Sequence, residues 1–244
     1  MKKSKTRLYF NKKLSANIMV YIKDRQHHYL KNVLRIKVQD FITVFDGITG
    51  EWLSEVISIN RDNIVVQIKK KLSEIKPETD LWLVFAPIKI FRMNLIIQKA
   101  TELGISKFIP CITQNTNQIK INMKNLQMNI IEASEQSERL TLPKLNEVIK
   151  LKELLENFPN DRGLIFCNEN DKSLPNILTV LKDKSNTFKK WAILVGPEGG
   201  FINTEVDEIL SNSSTIPVSL GKRILRSDTA TTAAIFSVQS FIEK

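Results

Sequence analysis

Two short loops carry the residue types from which a binding site can be built. Gly196-Pro197-Glu198-Gly199-Gly200 places three glycines in five positions, directly after the apolar run Trp191–Val195 and before a short helical pattern over Thr204–Leu210. Glycine lets a backbone approach a ligand closely and adopt positive φ, and Pro197 stiffens the turn. Leu220-Gly221-Lys222-Arg223-Ile224-Leu225-Arg226 likewise follows a strand-like stretch, Ile216–Leu220. It leads through Ser227 or Asp228, either of which can cap, into a helix that opens on small residues, Thr229 to Ala234. Loops at neighbouring strand ends can wall one pocket, because open α/β sheets bind ligands beyond the carboxyl ends of their strands. Arg226 can bind a phosphate or stabilise an anion there; it can equally serve structure by pairing with Asp228 or Glu198. Neither loop fits G-x-G-x-x-G or the P-loop pattern, which argues against a dinucleotide enzyme or a kinase-like NTPase.

The elements needed to hold these loops can be read upstream of them. Leu81–Ala86, Ile105–Ile112, Gly163–Cys167, Trp191–Val195 and Ile216–Leu220 read as strands, several of them the continuous apolar runs of a buried parallel sheet. Phe91–Leu103, closed by Gly104, reads as a helix, as do Ile121–Arg139, Thr204–Leu210 with Asn203 or Thr204 as its cap, and Thr229–Ile242. Strands alternating with helices predict an α/β sheet with helices on both faces. Residues 1–72 read differently. Phe41–Phe45, Glu51–Ile59 and Ile64–Ile68 are β-rich, Asp46-Gly47 is a turn signal, and Gln26–Arg35 resembles a short amphipathic helix. A small β-barrel or sandwich carrying a helix is expected there. Lys69–Asp80, polar and containing Pro77, reads as a linker. The expected domains are therefore residues 1–72 and 73–244.

Charge separates the same two parts. Net charge is +10, and residues 1–76 hold sixteen Lys/Arg against seven Asp/Glu, whereas the remainder holds twenty against nineteen. Such asymmetry between segments suits a polyanion-binding part joined to a near-neutral part. Lys and Arg contacts to phosphate supply the sequence-independent share of nucleic-acid affinity. Cys111 and Cys167 are far apart and read as core residues, and the adjacent His27 and His28 have no partner at metal-ligand spacing and read as surface residues or as facing the polyanion. No metal site is expected. No apolar run reaches membrane-spanning length, and the basic N-terminus lacks the apolar stretch of a signal peptide, so a cytoplasmic location is expected.

Taken with their spacing, these segments resemble the SPOUT superfamily of methyltransferases. More narrowly, they resemble the bacterial RsmE family, which methylates N3 of a uridine in 16S ribosomal RNA. GPEGGF followed some 25 residues later by LGKRILRSDTATTAA carries the resemblance. Ile96–Pro110 is similar to the family's Lys-x-x-Glu-Leu-Gly helix, Glu135–Arg139 with Pro143 to its Glu-Gln-x-x-Arg-x-x-x-Pro segment, and His28–Gly47 to its N-terminal domain. The resemblance implies a PUA-like β-barrel, a deep trefoil knot in the C-terminal α/β domain, a homodimer with active sites near the interface, and S-adenosylmethionine bound in the knot. It implies a cofactor site at Leu194, Gly196, Pro197, Glu198, Gly199, Gly200, Leu220, Gly221, Ile224, Leu225 and Arg226. Arg226, Glu198 and Arg139 are the candidates for the uridine proton and anion. Arg25, Arg35, Lys37 and Lys120 are candidates for contacts to the RNA of the 30S subunit. Two departures stand out. Glu138 occupies a position where the family usually has Gly, and the stretch Thr113–Lys120 lacks the Arg that commonly follows this strand. Other readings stay open at this point: a SPOUT enzyme acting on another ribosomal or transfer RNA position, a non-catalytic ribosome-assembly factor, or an enzyme that uses the glycine loop for a small phosphate ligand.

Overall fold

The computed structural model describes residues 4–116, 120–169, 171, 173–184 and 187–243. In chain order its elements are β1 (Arg7–Tyr9), β2 (Met19–Ile22), α1 (Asp24–His28), a π-helical turn (Tyr29–Val33), β3 (Phe41–Phe45), β4 (Glu51–Ile59), β5 (Ile64–Ser73), β6 (Leu81–Phe85) and α2 (Ile90–Glu102). Then follow β7 (Lys107–Ile112), a 3-10 turn (Gln114–Thr116), α3 (Met123–Gln136), β8 (Lys144–Leu145), β9 (Ile149–Lys150), α4 (Leu151–Glu156) and β10 (Arg162–Cys167). The chain ends with α5 (Ile177–Lys184), β11 (Lys190–Val195), α6 (Asn203–Ser211), β12 (Thr215–Val218) and α7 (Ser227–Ile242). These form two compact units, one made of residues 1–77 with Ser134–Leu142, the other of Glu78–Ala133 with Pro143–Lys244.

The first unit is a five-stranded sheet in the order β1-β3-β4-β5-β2, with β1 parallel to β3 and the other pairs antiparallel. Alternation puts Trp52, Ser54 and Val56 of β4 and Ile64, Val66 and Ile68 of β5 inside. They pack with Leu30, Ile36, Ile42 and Val44 in one apolar cluster. The turn after β3 is fastened by the buried carboxylate of Asp46, which accepts from the Thr49 hydroxyl and from the N–H groups of Leu14, Ile48 and Thr49. Burial alone raises the pKa of Asp46, but these four bonds outweigh it and hold the carboxyl below its ordinary value.

Two expectations for this region need correction. The linker predicted over Lys69–Asp80 begins later, because β5 runs on to Ser73: Lys70, Lys71 and Ser73 pair with Leu53, Trp52 and Glu51. Cross-strand partners outweigh the lysine-rich composition there; Lys69 sits 2.9 Å from Glu55 and Lys71 lies over the Trp52 ring. The amphipathic helix over Gln26–Arg35 is an α-turn that loosens into a π-turn.

The segment Ser134–Leu142, which holds the EQSER motif, belongs to this first unit. Arg7 is buried and anchors it. Its Nη1 and Nη2 donate to the carbonyls of Ser134 (2.9 Å) and Arg139 (2.5 Å), its Nε donates to Glu51, and its guanidinium lies 4.0 Å from the Phe45 ring centre. Glu135 accepts from the Tyr9 N–H and from Gln26. Glu138 has φ +61, the left-handed conformation that glycine adopts at least cost. This accounts physically for the glycine usual at that position in the resembling family.

The second unit is built on a seven-stranded sheet, all of whose paired strands are parallel, in the order β12-β10-β11-β6-β7-β8, with β9 beside the end of β7. Val84, Ile109, Leu164, Phe166, Ala192 and Leu194 face one side and pack with Leu151, Leu154 and Leu155 of α4 and Ile209 of α6. The alternate residues Leu83, Phe85, Phe108, Ile165 and Ile193 are also fully buried, so both faces are covered. α2 packs on α7, and α7 on α5 and β11. At the amino-terminal ends of the strands, Arg162 is 2% exposed. It donates to the carbonyls of Asp80 and Trp191 and pairs with the Asp80 carboxylate. Arg162 and Lys107 both lie against the Trp82 ring, at 3.6 and 3.4 Å from its centre.

The predicted strand and helix positions in this unit agree with the structure to within two or three residues at the ends, whereas α4, α5, β8 and β9 were not anticipated. The caps differ too. Position 202, an isoleucine, precedes the first turn of α6, and Glu205 accepts from the Ile202 N–H at 3.1 Å. Arg226 precedes α7, and the Ser227 hydroxyl points elsewhere, as described below. Among the described residues no helix is long and apolar enough to cross a membrane, and no group of three potential metal ligands is assembled.

Candidate active site

Three adjacent parallel strands, β12, β10 and β11, end side by side, and the chain leaving each one helps to wall a cavity of about 300 Å³. From β10 come Phe166, Cys167, Asn168, Glu169 and Asp171; from β11 come Val195 to Glu198, Gly200 and Phe201; from β12 come Val218 to Ser227, with Ala230 on α7. The volume lies in the range of small-molecule sites, and the lining mixes apolar walls with a few polar groups.

The loop after β11 is shaped by its glycines and by Phe201. At Gly196 an added Cβ would stand 2.7 Å from the Phe201 ring, so only glycine lets that ring fold back over the loop. Phe201 then meets Phe166 edge-to-face at 5.5 Å, joining the β11 loop to the end of β10. Gly200 has φ +68 and donates its N–H to the Pro197 carbonyl at 3.0 Å. In the loop after β12, Gly221 has φ +119, a conformation reserved in practice for glycine. At both Gly200 and Gly221 the space a Cβ would occupy is open. The two loops are tied directly: the Ser227 hydroxyl donates to the Gly196 carbonyl at 2.9 Å. Ser227 therefore links loops instead of capping a helix.

Most of the residues expected at the cofactor site come together here: Gly196, Pro197, Glu198, Gly200, Leu220, Gly221, Ile224, Leu225 and Arg226 all line the cavity. Leu194 and Gly199 do not. Leu194 is fully buried in the sheet core. Gly199 lies on the outer side of its loop, where an added Cβ would meet Asn115. Glu198 pairs with Arg92 of α2, so the structural pairing of Glu198 with Arg226 considered from sequence is not formed. Arg226 is exposed at the cavity wall. Arg139 lies in the first unit, 9% exposed. Arg25, Arg35 and Lys37 are exposed on the first unit, and Lys120 is exposed on the second. Asn117, Gln118 and Ile119 of the stretch Thr113–Lys120 lie outside the described residues.

Sequence reasoning missed Arg92, Asn115 and the β10 loop. No motif marks Arg92, an ordinary helix residue until the fold brings Glu198 to it. The β10 loop has no glycine signature and was passed over for that reason. Cys167, read from sequence as core, is the last residue of β10 and lines the cavity. Burial pushes its thiol up to about 12, so it stays protonated at neutral pH. Cys111 is buried in the core and is likewise pushed to about 12.

The chain matches the RNA methyltransferase domain family over residues 75–239 and the RNA methyltransferase PUA domain family over residues 22–69. Ribosomal RNA small subunit methyltransferase E of Rickettsia conorii is 38% identical over 234 residues, covering 96% of this chain and 94% of the relative. The protein of the same name from Buchnera aphidicola subsp. Schizaphis graminum is 29% identical, covering 98% and 97%. Two solved structures are also similar over nearly their whole length. One is a putative methyltransferase of Legionella pneumophila in complex with S-adenosylmethionine (TM-score 0.85, 25% identity, 98% and 97% covered). The other is ribosomal RNA small subunit methyltransferase E of Neisseria gonorrhoeae bound to S-adenosylmethionine (TM-score 0.83, 26% identity, 96% and 97% covered). With a domain match over well more than half its length and a relative 38% identical across nearly all of it, the chain belongs to the RNA methyltransferase family whose relatives carry the name ribosomal RNA small subunit methyltransferase E.

Proposed function

We propose that this chain transfers the methyl group of S-adenosylmethionine to small-subunit ribosomal RNA, at N3 of a uridine in 16S RNA within the 30S subunit. The observation that carries the reading is the cavity beyond β10, β11 and β12, whose walls suit that cofactor. Val195, Val218, Leu220, Leu225 and Phe201 offer apolar surface for a flat base. Asn168, Glu169 and Asp171 offer acceptors for hydroxyl or ammonium groups. The open space at Gly200 and Gly221 lets main-chain groups come close. The named relatives and the two cofactor-bound structures support the same reading.

S-adenosylmethionine supplies a methyl group on a sulfonium that is already a good leaving group. The protein's share is alignment, together with handling the N3 proton of the uridine. Arg226, an exposed guanidinium at the cavity wall, is suited to stabilise the uridine anion. Glu198 is the carboxylate nearest that role in sequence, but its pairing with Arg92 ties it to holding the loop. Arg139 is the remaining candidate, on the RNA side of the reaction. Neither cysteine is needed for attack by a ring nitrogen.

Residues 1–72 form, in this reading, a PUA-like β-barrel that grips RNA through Arg25, Arg35 and Lys37, and residues 73–244 form the methyltransferase domain, with Lys120 a further RNA contact. The second domain is read as a deep trefoil knot. The chain leaving β12 runs beside the segment leaving β10, with Ser219 bonded to Pro175 and Ile177, before α7 packs back on α2 and α5. A homodimer is supported by α7, which carries a single charged residue in sixteen, and by its exposed Phe236. The cytoplasm, where 30S subunits are found, is the corresponding location.

The test is methylation of unmodified 30S subunits with labelled S-adenosylmethionine and mapping of the product nucleotide. Label at N3 of one 16S uridine is expected. Label at another atom, or on transfer RNA only, would refute the substrate assignment. Arg226→Ala is expected to lower turnover at least ~100-fold with the fold retained, in line with the loss of one anion-stabilising donor.

A further inference from the structure

The 3-10 turn Gln114–Thr116 follows β7 in the stretch whose Lys120 is a candidate for RNA contact. Its contacts point elsewhere. Asn115 Nδ2 donates to the carbonyls of both Gly199 (3.0 Å) and Gly200 (2.8 Å). A carboxamide nitrogen carries two N–H donors, and here both are spent on adjacent peptides of the cofactor loop. A Cβ at Gly199 would stand 3.4 Å from the same nitrogen, an ordinary contact, so the side chain of Asn115 lies directly against this face of the loop. In a trans peptide the N–H opposes the C=O. Holding the Gly199 carbonyl outward therefore turns the Gly200 N–H inward onto Pro197, which closes the turn at 3.0 Å.

Asn115 is itself held firmly. Thr113 and Thr116 are buried, and the Thr116 hydroxyl lies 2.8 Å from the Thr113 N–H and 3.0 Å from its hydroxyl. One carboxylate, Glu205, accepts from both the Gln114 N–H (2.8 Å) and the Ile202 N–H (3.1 Å), binding the turn to the start of α6 just past the glycines. The cofactor loop is thus fixed from outside by a rigid 3-10 turn on a different strand.

We propose that Asn115 is a positioning residue for the cofactor: it holds the Pro197–Gly200 turn in its binding shape and makes no contact with the RNA. The proposal rests on the reading that S-adenosylmethionine occupies the cavity. It assigns the turn Gln114–Thr116, which opens the stretch that lacks the family's usual Arg, to the cofactor side of the reaction.

Asn115→Asp is nearly isosteric but turns the donor into a carboxylate facing two carbonyls; Asn115→Ala removes the donor alone. On the full chain, calorimetry with S-adenosylmethionine should give a Kd about tenfold weaker for Asn115→Asp and about threefold weaker for Asn115→Ala, the scale of one or two lost hydrogen bonds. The KM for S-adenosylmethionine should rise in parallel, while the KM for 30S subunits stays within about twofold and the melting temperature within a few degrees. If Asn115→Asp does not fold, Asn115→Ala decides alone. Unchanged cofactor affinity in a folded variant, or a loss that falls on the KM for 30S subunits, would overturn the proposal. If the unsubstituted chain bound no S-adenosylmethionine, the cofactor reading itself would fall and the proposal with it.

Discussion

The two units solve the same backbone problem in opposite ways. Among the described residues, left-handed φ values occur in both. In the second unit they fall only on glycines, Gly104, Gly200 and Gly221. In the first unit they fall on Asn17, Asp24, Arg35, Gln39 and Glu138 as well as on Gly47 and Gly50. For Arg35, Gln39 and Glu138 that conformation costs on the order of 1–2 kcal/mol each, whereas Asn and Asp adopt it more readily. The second unit avoids the cost where its loops must bring bare backbone against a ligand. The first unit accepts it and keeps polar side chains at those places, all five of them exposed. If the proposed function holds, backbone is the recognition element in one unit and side chain in the other.

Buried arginines hold both units and give the largest expected effect. Arg162→Ala should lower stability by about 2–4 kcal/mol in urea unfolding, since it leaves two carbonyls without their donor; the half-exposed Asp80 carboxylate keeps its bonds from Trp82 and Ser106. Arg7→Ala should cost about as much and, in addition, release hydrogen-exchange protection over Ser134–Leu142 while leaving the second sheet protected. If protection were lost equally in both units, the division of labour drawn above would be too sharp.

Next comes Gly221→Ala. No neighbour obstructs the added Cβ, so its effect tests the φ value alone. A cost of about 1–3 kcal/mol is expected, concentrated in weaker S-adenosylmethionine binding by calorimetry. Acid should act through Asp46. Its folded pKa lies below the ordinary 3.8, so its contribution is complete above that value and is lost as pH falls through the folded pKa. Stability measured from pH 6 downward should therefore drop below about pH 4, and Asp46→Asn should flatten that drop after starting from a lower value. The smallest effects belong to the left-handed side chains. Glu138→Gly should gain up to about 1 kcal/mol, strain relief offset in part by glycine's added chain entropy. Arg35→Gly should relieve similar strain yet weaken RNA binding and lower the salt slope by about one.

Much of this was legible in the residues. The apolar runs at Leu81–Ala86, Gly163–Cys167 and Trp191–Val195 mark central parallel strands because burial on both faces leaves no alternation to confuse. The two loops were readable because each follows a strand and precedes a helix, where a glycine turn can be a connector or a ligand loop, and their pairing favoured the second. What stayed hidden depends on distant pairing. Lys69–Ser73 looks like a linker until Glu51–Leu53 is beside it. Ser227 looks like a cap until the Gly196 carbonyl arrives from 31 residues away. Arg92 and Asn115 carry no pattern of their own, since their partners are a loop more than eighty residues downstream.

The Ser227–Gly196 bond has a consequence for ligands smaller than the whole cofactor. It joins the loops after β11 and β12, so ordering either one reduces the freedom the other still has to lose. Two fragments that each engage one loop should then bind cooperatively. The affinity for adenosine should rise when methionine is present, and for methionine when adenosine is present, by the same factor. Ser227→Ala should leave both fragments able to bind while bringing that factor close to one.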